Sequence, residues 1–369
     1  MELTTALRDS LPNACVFKGI DIPEVVCHTK QEAKASDIDI QEYTIQRLVA
    51  NGLEGPLSEP IYSNEIIERL NMATVGQHKN EHWHVLRKGR ITSSNFHSVS
   101  CKIKYNRSQN VIRPLLSNIM GYTSINPNIK ALKYGREMEP IACETYKSYM
   151  KKGHKNVVFS NCGIFIDSVR PYLAASPDLI VSCSCCGDGV AEFKCPMIPK
   201  CEKCTHFCHC KLPVFLHCEN ETLSLNRSHA YFAQIQGQMA ITGRFWCDFF
   251  VYSCNGIFNE RIEFDKYYYD ELQDDLDNFF SLYIVPELKT RNVENSLMKE
   301  ETMEVDVQNV KEGNVYFCPV CNKIVQDDVK SYKAQSVQCG KCQLWFHFPC
   351  VHVTKSLLKN IKEWLCPSC

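Results

Sequence analysis

The chain has 369 residues, and 41 Lys+Arg against 42 Asp+Glu leave a formal net charge of −1, so no global field draws it to nucleic acid or to a membrane surface. Its 44% hydrophobic and 10% aromatic content excludes a disordered or low-complexity polymer, and the length suits one large core plus a small module. No apolar run reaches the ~18 to 20 residues of a membrane span, and the charged start MELTTALRDS lacks a secretory core, so the expectation is an intracellular protein with no membrane partner.

In a reducing compartment the 23 cysteines point to zinc before disulfides, and the N-x-S/T triplets at Asn106, Asn220 and Asn226 read as chance matches. Residues 1–76 mix polar and apolar runs without strong periodicity and give no role. A second segment, 77–290, alternates helical and extended patterns, which favours an α/β or α+β core. Between His82 and Arg113 stand seven Lys/Arg and no acidic residue, either a basic surface for phosphates or a solvated face. Gly135 to Met150 is helical by period, with Glu139, Ala142, Cys143, Tyr146 and Met150 on one face. A carboxylate on such a core-facing stripe needs a partner or a metal; the bland alternative is a solvated residue at the stripe's edge.

Gly163 to Ile166 and Leu179 to Val181 read as strand segments of a meander, with Asp178 at a strand start. The meander leads into a strand over Gly189 to Cys195. There, period two puts Val190, Glu192 and Lys194 on one face and Ala191, Phe193 and Cys195 on the other. Glu192 and Lys194 therefore aim at one place. His229 to Thr242 is helical, with Tyr231, Gln234 and Gln238 on one face and Phe232, Ile235 and Met239 on the packing face.

Two carboxylates plus waters satisfy Mg²⁺ or Mn²⁺, and such an ion activates water and acts as a Lewis acid. A lysine beside them can orient or deprotonate that water and offset charge on a phosphate. Near the metal, an uncharged amide can hold a water or phosphate oxygen. Taken singly, E-x-K is common on surface strands. The order is more specific: a helix Glu139 in GREMEP, Asp178 in ASPDLIV, Glu192 fourteen residues on in AEFKCP, then Gln234 in YFAQIQGQM. With WHVLRKGRITSSNF at its start, this order resembles the PD-(D/E)XK nuclease superfamily, in its lambda-exonuclease and YqaJ-type viral recombinase branch, over roughly Trp83 to Leu288.

That resemblance implies a restriction-endonuclease-like α/β core with a mixed central sheet flanked by helices. It implies Asp178 and Glu192 as direct ligands of Mg²⁺ (or Mn²⁺), helped by the Phe193 backbone carbonyl, with Glu139 contributing through water. Lys194 would be the catalytic lysine, and Gln234 would help position the nucleophile. Arg87 and Ser94 would hold a 5′ phosphate, a task suited to charge-assisted, bidentate arginine contacts; Arg87 could instead be a plain backbone contact. Tyr231 joins them as a substrate-binding candidate. The implied activity is metal-dependent 5′ exonuclease action on duplex DNA, and because some relatives form ring-shaped trimers a homo-oligomer is also an expectation.

Nine cysteines lie from Cys183 to Cys218. Cys183, Cys185 and Cys186 precede the E-x-K strand; Cys201, Cys204, Cys208 and Cys210 follow it, with His206, His209 and His217 nearby. An extra Zn²⁺ bridging the two flanks would brace loops at the mouth of the site; otherwise these are free thiols in an insertion. Residues 291–314 are acid-rich and read as a linker. In 315–369, Cys318-x2-Cys321, Cys339-x2-Cys342, His347-x2-Cys350 and Cys366-x2-Cys369 supply eight ligands, enough for two tetrahedral Zn²⁺ ions.

This spacing, with Trp345 two before His347 and Trp364 two before Cys366, resembles a PHD finger. The resemblance implies interleaved ligation: Cys318, Cys321, His347 and Cys350 on one zinc, and Cys339, Cys342, Cys366 and Cys369 on the other. In so small a module zinc supplies folding free energy on the order of 10 kcal/mol. It also implies a histone H3 tail or another protein as partner, with Trp345 as one wall of a methyl-lysine cage and Tyr316, Phe317 or Tyr332 as a second. Against a cage, Val337 and Gln338 stand where acidic residues usually precede Cys339; Trp364 is assigned to the core. The leading reading is a DNA exonuclease with a chromatin-type finger, nuclear and derived from a mobile element. Its rivals are an inactive DNA-binding protein with the nuclease fold, and a chromatin adaptor whose finger reads histones; every catalytic position being filled argues against the first.

Overall fold

The computed structural model describes residues 38–105, 109–123, 129–198, 212–220, 222–254, 256–298, 316–321, 324–325, 335–342, 344–351, 353–359, 361 and 363–366. Residues 1–37, the downstream cysteine flank (Cys201, Cys204, His206, Cys208, His209, Cys210), most of the expected linker, Tyr332 and Cys369 lie outside the described residues, as do the side chains of Tyr316 and Phe317. The chain divides into two compact units, Met1–Ser296 and Leu297–Cys369.

The first described helices of this unit are short and capped. Thr44 Oγ1 accepts from Arg47 N at the start of α1 (Ile45–Ala50), Ser63 Oγ from Ile66 N for α2 (Asn64–Ala73), and Asn80 Oδ1 from His82 N for α3 (Glu81–Arg87). Each cap satisfies an N–H group that the first helical turn leaves unpaired. Strand β1 (Ile91–Thr92), α4 (Phe96–Lys104), α5 (Gln109–Met120) and the long α6 (Lys130–Gly153) follow. Next come β2 (Val158–Ser160), β3 (Phe165–Ile166), β4 (Leu173–Ala175), β5 (Leu179–Cys183), β6 (Gly187–Lys194) and the hairpin β7 (Leu216–Glu219) and β8 (Thr222–Leu225). Helix α7 (Ala230–Thr242) starts at His229, whose Nδ1 accepts from Tyr231 N, and stops at Gly243, whose φ of 66° is the left-handed value that ends helices. β9 (Trp246–Ser253), β10 (Gly256–Glu263), α8 (Lys266–Phe279) and α9 (Val285–Thr290) complete the unit.

The main sheet has the order β10-β9-β6-β5-β2, antiparallel except for the parallel pair β6 and β9, which sets Glu192 opposite Phe249. Helices cover both faces. Ala142, Tyr146 and Met150 of α6 pack on Leu179, Val181, Ala191, Phe193 and Phe250; Ile235 and Met239 of α7 pack on Val190, Cys247, Phe249 and Val251. Each fully buried Val, Leu, Ile, Phe or Met side chain among these stabilises the fold by roughly 1.5–3 kcal/mol. The mixed sheet between helices is the architecture expected from the sequence.

A second sheet, β1-β4-β3, is small, and this revises the expected meander: β3 pairs with β4, while β5 belongs to the main sheet. The chain passes from one sheet to the other at Ser176, Pro177 and Asp178, which places Asp178 at the seam. Glu139 is also corrected. Ala142, Tyr146 and Met150 are fully buried, but one turn earlier Glu139 is exposed, because this end of α6 faces the cleft that also exposes Lys194 and Tyr231. Finally, 292–298 is helical where the linker was expected, with Glu287 accepting from Val293 N and Glu294 N and Val293 packed on the core.

In the second unit β11 (Tyr316–Phe317) pairs with β12 (Ile324–Val325), and β13 (Ser336–Gln338) with β14 (Trp345–His347). Buried Cys318, Cys339, Phe346 and Cys366 form its core, and Trp364 lies edge-on to Phe346 with ring centroids 5.5 Å apart.

On the α6 side, Asp248 of β9 is fully buried. It accepts from Tyr146 Oη at 2.7 Å and from Arg261 Nε and Nη2 at 2.8 Å each. Arg261 also stacks on Trp246, 3.8 Å from the ring centroid. Losing the arginine leaves a charge in the interior, so Arg261→Met is expected to destabilise the first unit by about 3 kcal/mol. Denaturant unfolding measures this, and a change below about 1 kcal/mol would show that the pair is idle.

Candidate active site

Alternation along β6 turns Glu192 to the α7 side of the sheet, beside Val190, and there α7 meets it. Glu192 is only 3% exposed. Its Oε1 accepts from Gln234 Nε2 at 2.6 Å and from Lys194 Nζ at 2.5 Å, and its Oε2 from Gln238 Nε2 at 2.7 Å. Lys194 Nζ also lies 4.4 Å from the centroid of the Tyr231 ring, a cation–π contact. Asp178 Oδ2 accepts from Phe193 N at 2.7 Å, which fastens the seam residue to the strand carrying Glu192. The structure thus brings Asp178, Glu192, Lys194, Tyr231 and Gln234 together, and Lys194 and Tyr231 line a cleft of about 370 Å³ with Glu139.

The electrostatics are those of a crowded acidic site. Burial, and then the charge of Glu192, push the Asp178 carboxyl well above its usual range, against Lys194 and the Phe193 N–H. Desolvation and Glu192 also raise Glu139, with Lys194 and Lys79 pulling the other way. Burial alone would lower the Lys194 ammonium, but Glu192 and Asp178 outweigh it and the net direction is up. Asp178 and Glu192 offer hard carboxylate oxygens beside one lysine, the donor type that a divalent ion such as Mg²⁺ prefers, and Glu139 acts on them through its charge; among the described residues the three acids do not form a three-ligand cluster.

Arg87 and Ser94 meet through Thr92, whose Oγ1 accepts from Arg87 Nη2 and lies 3.1 Å from Ser94 Oγ. The Arg87 guanidinium sits 4.1 Å over Trp83, and burial pulls its pKa down to about 10, which leaves it charged. Trp83 Nε1 in turn donates to Ser176 Oγ at 2.9 Å, two residues from Asp178. Gln77 Nε2 donates to the Pro177 carbonyl at 2.7 Å. The helix carrying Arg87 is therefore stitched to the S-P-D segment. The basic stretch around it does not form one surface: Arg90 is buried on the carbonyls of Leu86, Pro171 and Tyr43, and Lys104 pairs with Asp275 at 3.7 Å. Sequence reasoning missed Gln238, Trp83 and Gln77 as supports of the site. Gln238 had a signal, four residues after Gln234 on one helical face; Trp83 and Gln77 act across about a hundred residues and had none.

In the upstream cysteine flank, Cys183, Cys185 and Cys186 sit at the β5–β6 turn, the opposite end of that hairpin from Asp178 and Glu192. This half of the expected brace is not at the mouth, since Leu179 pairs with Ala191 at one end and Cys183 with Gly187 at the other. Cys195 and Cys218 stand apart from it; burial, then Glu139 and Asp178, push the Cys195 thiol up to about 12. In the finger, the ligand atoms of Cys318, Cys321, His347 and Cys350 lie within 4.8 Å of one another, as do those of Cys339, Cys342 and Cys366. That is the interleaved grouping, with Cys369 outside the described residues. Backbone N–H groups of His347 and Cys366 point at the sulfurs of Cys318 and Cys339 at 3.5 and 3.3 Å. Burial opposes the thiolates, but these and neighbouring N–H donors win and bring both thiols down to about 6, ready to bind metal. Trp345 is half-buried on β14.

An Asp at a strand entrance and E-x-K on the next strand of a mixed, helix-flanked sheet define the PD-(D/E)XK class. Residues 82–245 match the family model of the YqaJ-like viral recombinase domain and 306–369 that of the PHD-finger; the chain carries these two domains in succession. Among solved structures it is similar to an alkaline exonuclease (LHK-Exo) from Laribacter hongkongensis, at 22% identity and a TM-score of 0.38 over 61% of this chain and 100% of that one. It is also similar to the Shutoff and Exonuclease Protein from Kaposi's sarcoma-associated herpesvirus, at 13% identity and a TM-score of 0.37 over 61% of this chain and 74% of that one.

The raised carboxyls give a metal-free test. A folded pKa above the free value means that folding takes up a proton, so stability is greatest below the free carboxylate pKa and falls as pH rises through it towards the raised one. Asp178→Asn keeps an acceptor for Phe193 N and removes the desolvated charge. In chelator that spares the finger's zinc, its first unit is expected to melt above wild type at pH 8 and to match it near pH 4. A lower melting temperature at pH 8 would contradict the electrostatic reading.

Proposed function

We propose that the first unit is a metal-dependent deoxyribonuclease that hydrolyses phosphodiester bonds from 5′-phosphorylated duplex ends, and that the finger docks it on a protein partner in chromatin. The observation that carries this reading is Glu192: a buried carboxylate held by one lysine and two amides, beside a second carboxylate raised by its neighbours. Asp178, Glu192 and the Phe193 carbonyl would hold Mg²⁺ or Mn²⁺, with Glu139 acting through water. When bound, such an ion lowers the pKa of water and polarises the phosphoryl oxygen. Lys194, kept protonated by Glu192 and Asp178, orients the attacking water and offsets charge on the phosphate. Gln234 and Gln238 fix the Glu192 carboxylate, and Gln234 holds the water in line. Arg87, charged and presented over Trp83, grips the terminal phosphate with Thr92 and Ser94, and Tyr231 borders the path of the strand.

In the second unit two zinc ions order the finger, and Trp345 offers an aromatic wall to a lysine-rich tail, with histone H3 as the proposed partner and the nucleus as the compartment. A homo-oligomer and an origin in a mobile element belong to the same proposal.

Release of nucleotides from linear duplex in Mg²⁺ tests the enzyme. Lys194→Ala and Asp178→Ala are each expected to slow it on the order of 10² to 10⁴-fold, and equal rates in all three proteins would discard the activity. Arg87→Ala is expected to erase the preference for 5′-phosphate over 5′-hydroxyl ends; an equal loss on both would reduce Arg87 to a backbone contact. For the finger, titration with unmodified and trimethyl-lysine H3 tail peptides is expected to show binding that Trp345→Ala weakens about tenfold. No binding of either peptide would remove the histone assignment.

A further inference from the structure

The turn between β5 and β6 carries a group that the nuclease reading does not use. His154, the residue that ends α6, brings Nδ1 to 3.2 Å from Cys185 Sγ, 3.4 Å from Cys186 Sγ and 3.7 Å from Cys183 Sγ. The sulfurs of Cys183 and Cys185 are 3.5 Å apart, and those of Cys185 and Cys186 are 3.7 Å apart. A disulfide would need about 2.05 Å, so these are separate thiols. With Zn–S near 2.3 Å and Zn–N near 2.0–2.1 Å, the edges of a tetrahedron of ligands are about 3.5–3.8 Å. The distances in this turn, from 3.2 to 3.7 Å, lie close to those edges.

We propose that His154 Nδ1 and the sulfurs of Cys183, Cys185 and Cys186 form a zinc site in the first unit, separate from the finger's two and from the nuclease metal. Four protein ligands leave no open position, which makes the site structural. The backbone is arranged around it. Asn156, at a left-handed φ of 51°, turns the chain after α6. Ser184 N donates to the Lys155 carbonyl at 3.1 Å, and Asn156 Nδ2 to Ser184 Oγ at 3.0 Å. The Lys155 N–H is directed at the Cys185 sulfur, the same device that the His347 and Cys366 N–H groups supply in the finger. On the other side Trp246 Nε1 donates to the Cys186 carbonyl at 3.1 Å, and Arg261 reaches the Cys186 sulfur.

Such an ion would fasten the C-terminus of α6 to the turn of the hairpin whose other end holds Asp178 and Glu192, roughly 15 Å away at about 3.3 Å per strand residue. One element carries Glu139 and the other Asp178 and Glu192, so the zinc would fix how they meet. The site does not depend on the nuclease reading.

Zinc per chain, measured by plasma mass spectrometry on purified full-length protein, tests it. His154→Ala and Cys186→Ser are each expected to hold one zinc fewer than wild type, and His154→Cys, which offers a fourth thiolate, to hold the wild-type number. Because only differences are read, metal bound elsewhere cancels. Wild-type zinc in His154→Ala or Cys186→Ser would overturn the site, and so would loss of a zinc in His154→Cys.

Discussion

A carboxylate buried between a sheet and a helix must have its lone pairs answered, and the arrangement around Glu192 follows from that requirement. Lys194 can answer from the same strand because alternation puts it on the same face. Gln234 and Gln238 can answer only if α7 lies across the sheet with that face down, which the apolar Ile235 and Met239 bring about by packing on Val190 and Phe249. The polar contacts and the hydrophobic packing therefore specify the same placement of α7. Replacing Gln238 by an apolar side chain would leave Oε2 of Glu192 unanswered in the interior, a penalty of about 1–3 kcal/mol or more for a charged group, whereas without Gln234 the Oε1 atom would keep Lys194.

The opposite face of the sheet has its own buried acid. Asp248 is held by Tyr146 from α6 and Arg261 from β10, so each face pairs an interior carboxylate with donors from a covering helix. The two differ in what surrounds them. Asp248 has a bidentate arginine, while Glu192 has Asp178 and Glu139 nearby with a single lysine between them, a local excess of negative charge. The first arrangement is self-contained and structural. In the second the charges of Asp178 and Glu139 add to that of Glu192, which separates a site from a support.

What could be read in the sequence followed from local periodicity. The alternation of VAEFKC placed Glu192 and Lys194 together, the face of α7 placed Tyr231 and Gln234, and the paired Cys-x2-Cys spacing marked the finger's ligands, whose sharing between two zinc ions came from the resemblance to a PHD finger. What could not be read depended on contacts between distant segments. Period alone put Glu139 on a core-facing stripe, but the end of that stripe opens on the cleft. Strand β3 looked like part of the main sheet because nothing local says which partner a two-residue strand will find. Arg90 counted as surface charge and is instead buried on three carbonyls, two of them more than forty residues away in the chain. His154 stood outside the cysteine cluster in sequence, and only the packing of α6 along the sheet carries it there.

The central claim is that Asp178 and Glu192 form a divalent-metal site, and the most direct measurement is binding itself. Mn²⁺ titrated into the zinc-loaded chain and followed by electron paramagnetic resonance reports free ion without any substrate. The account predicts saturable uptake by the wild type that Asp178→Asn with Glu192→Gln abolishes. Equal uptake by the two proteins, or none by the wild type, would contradict it.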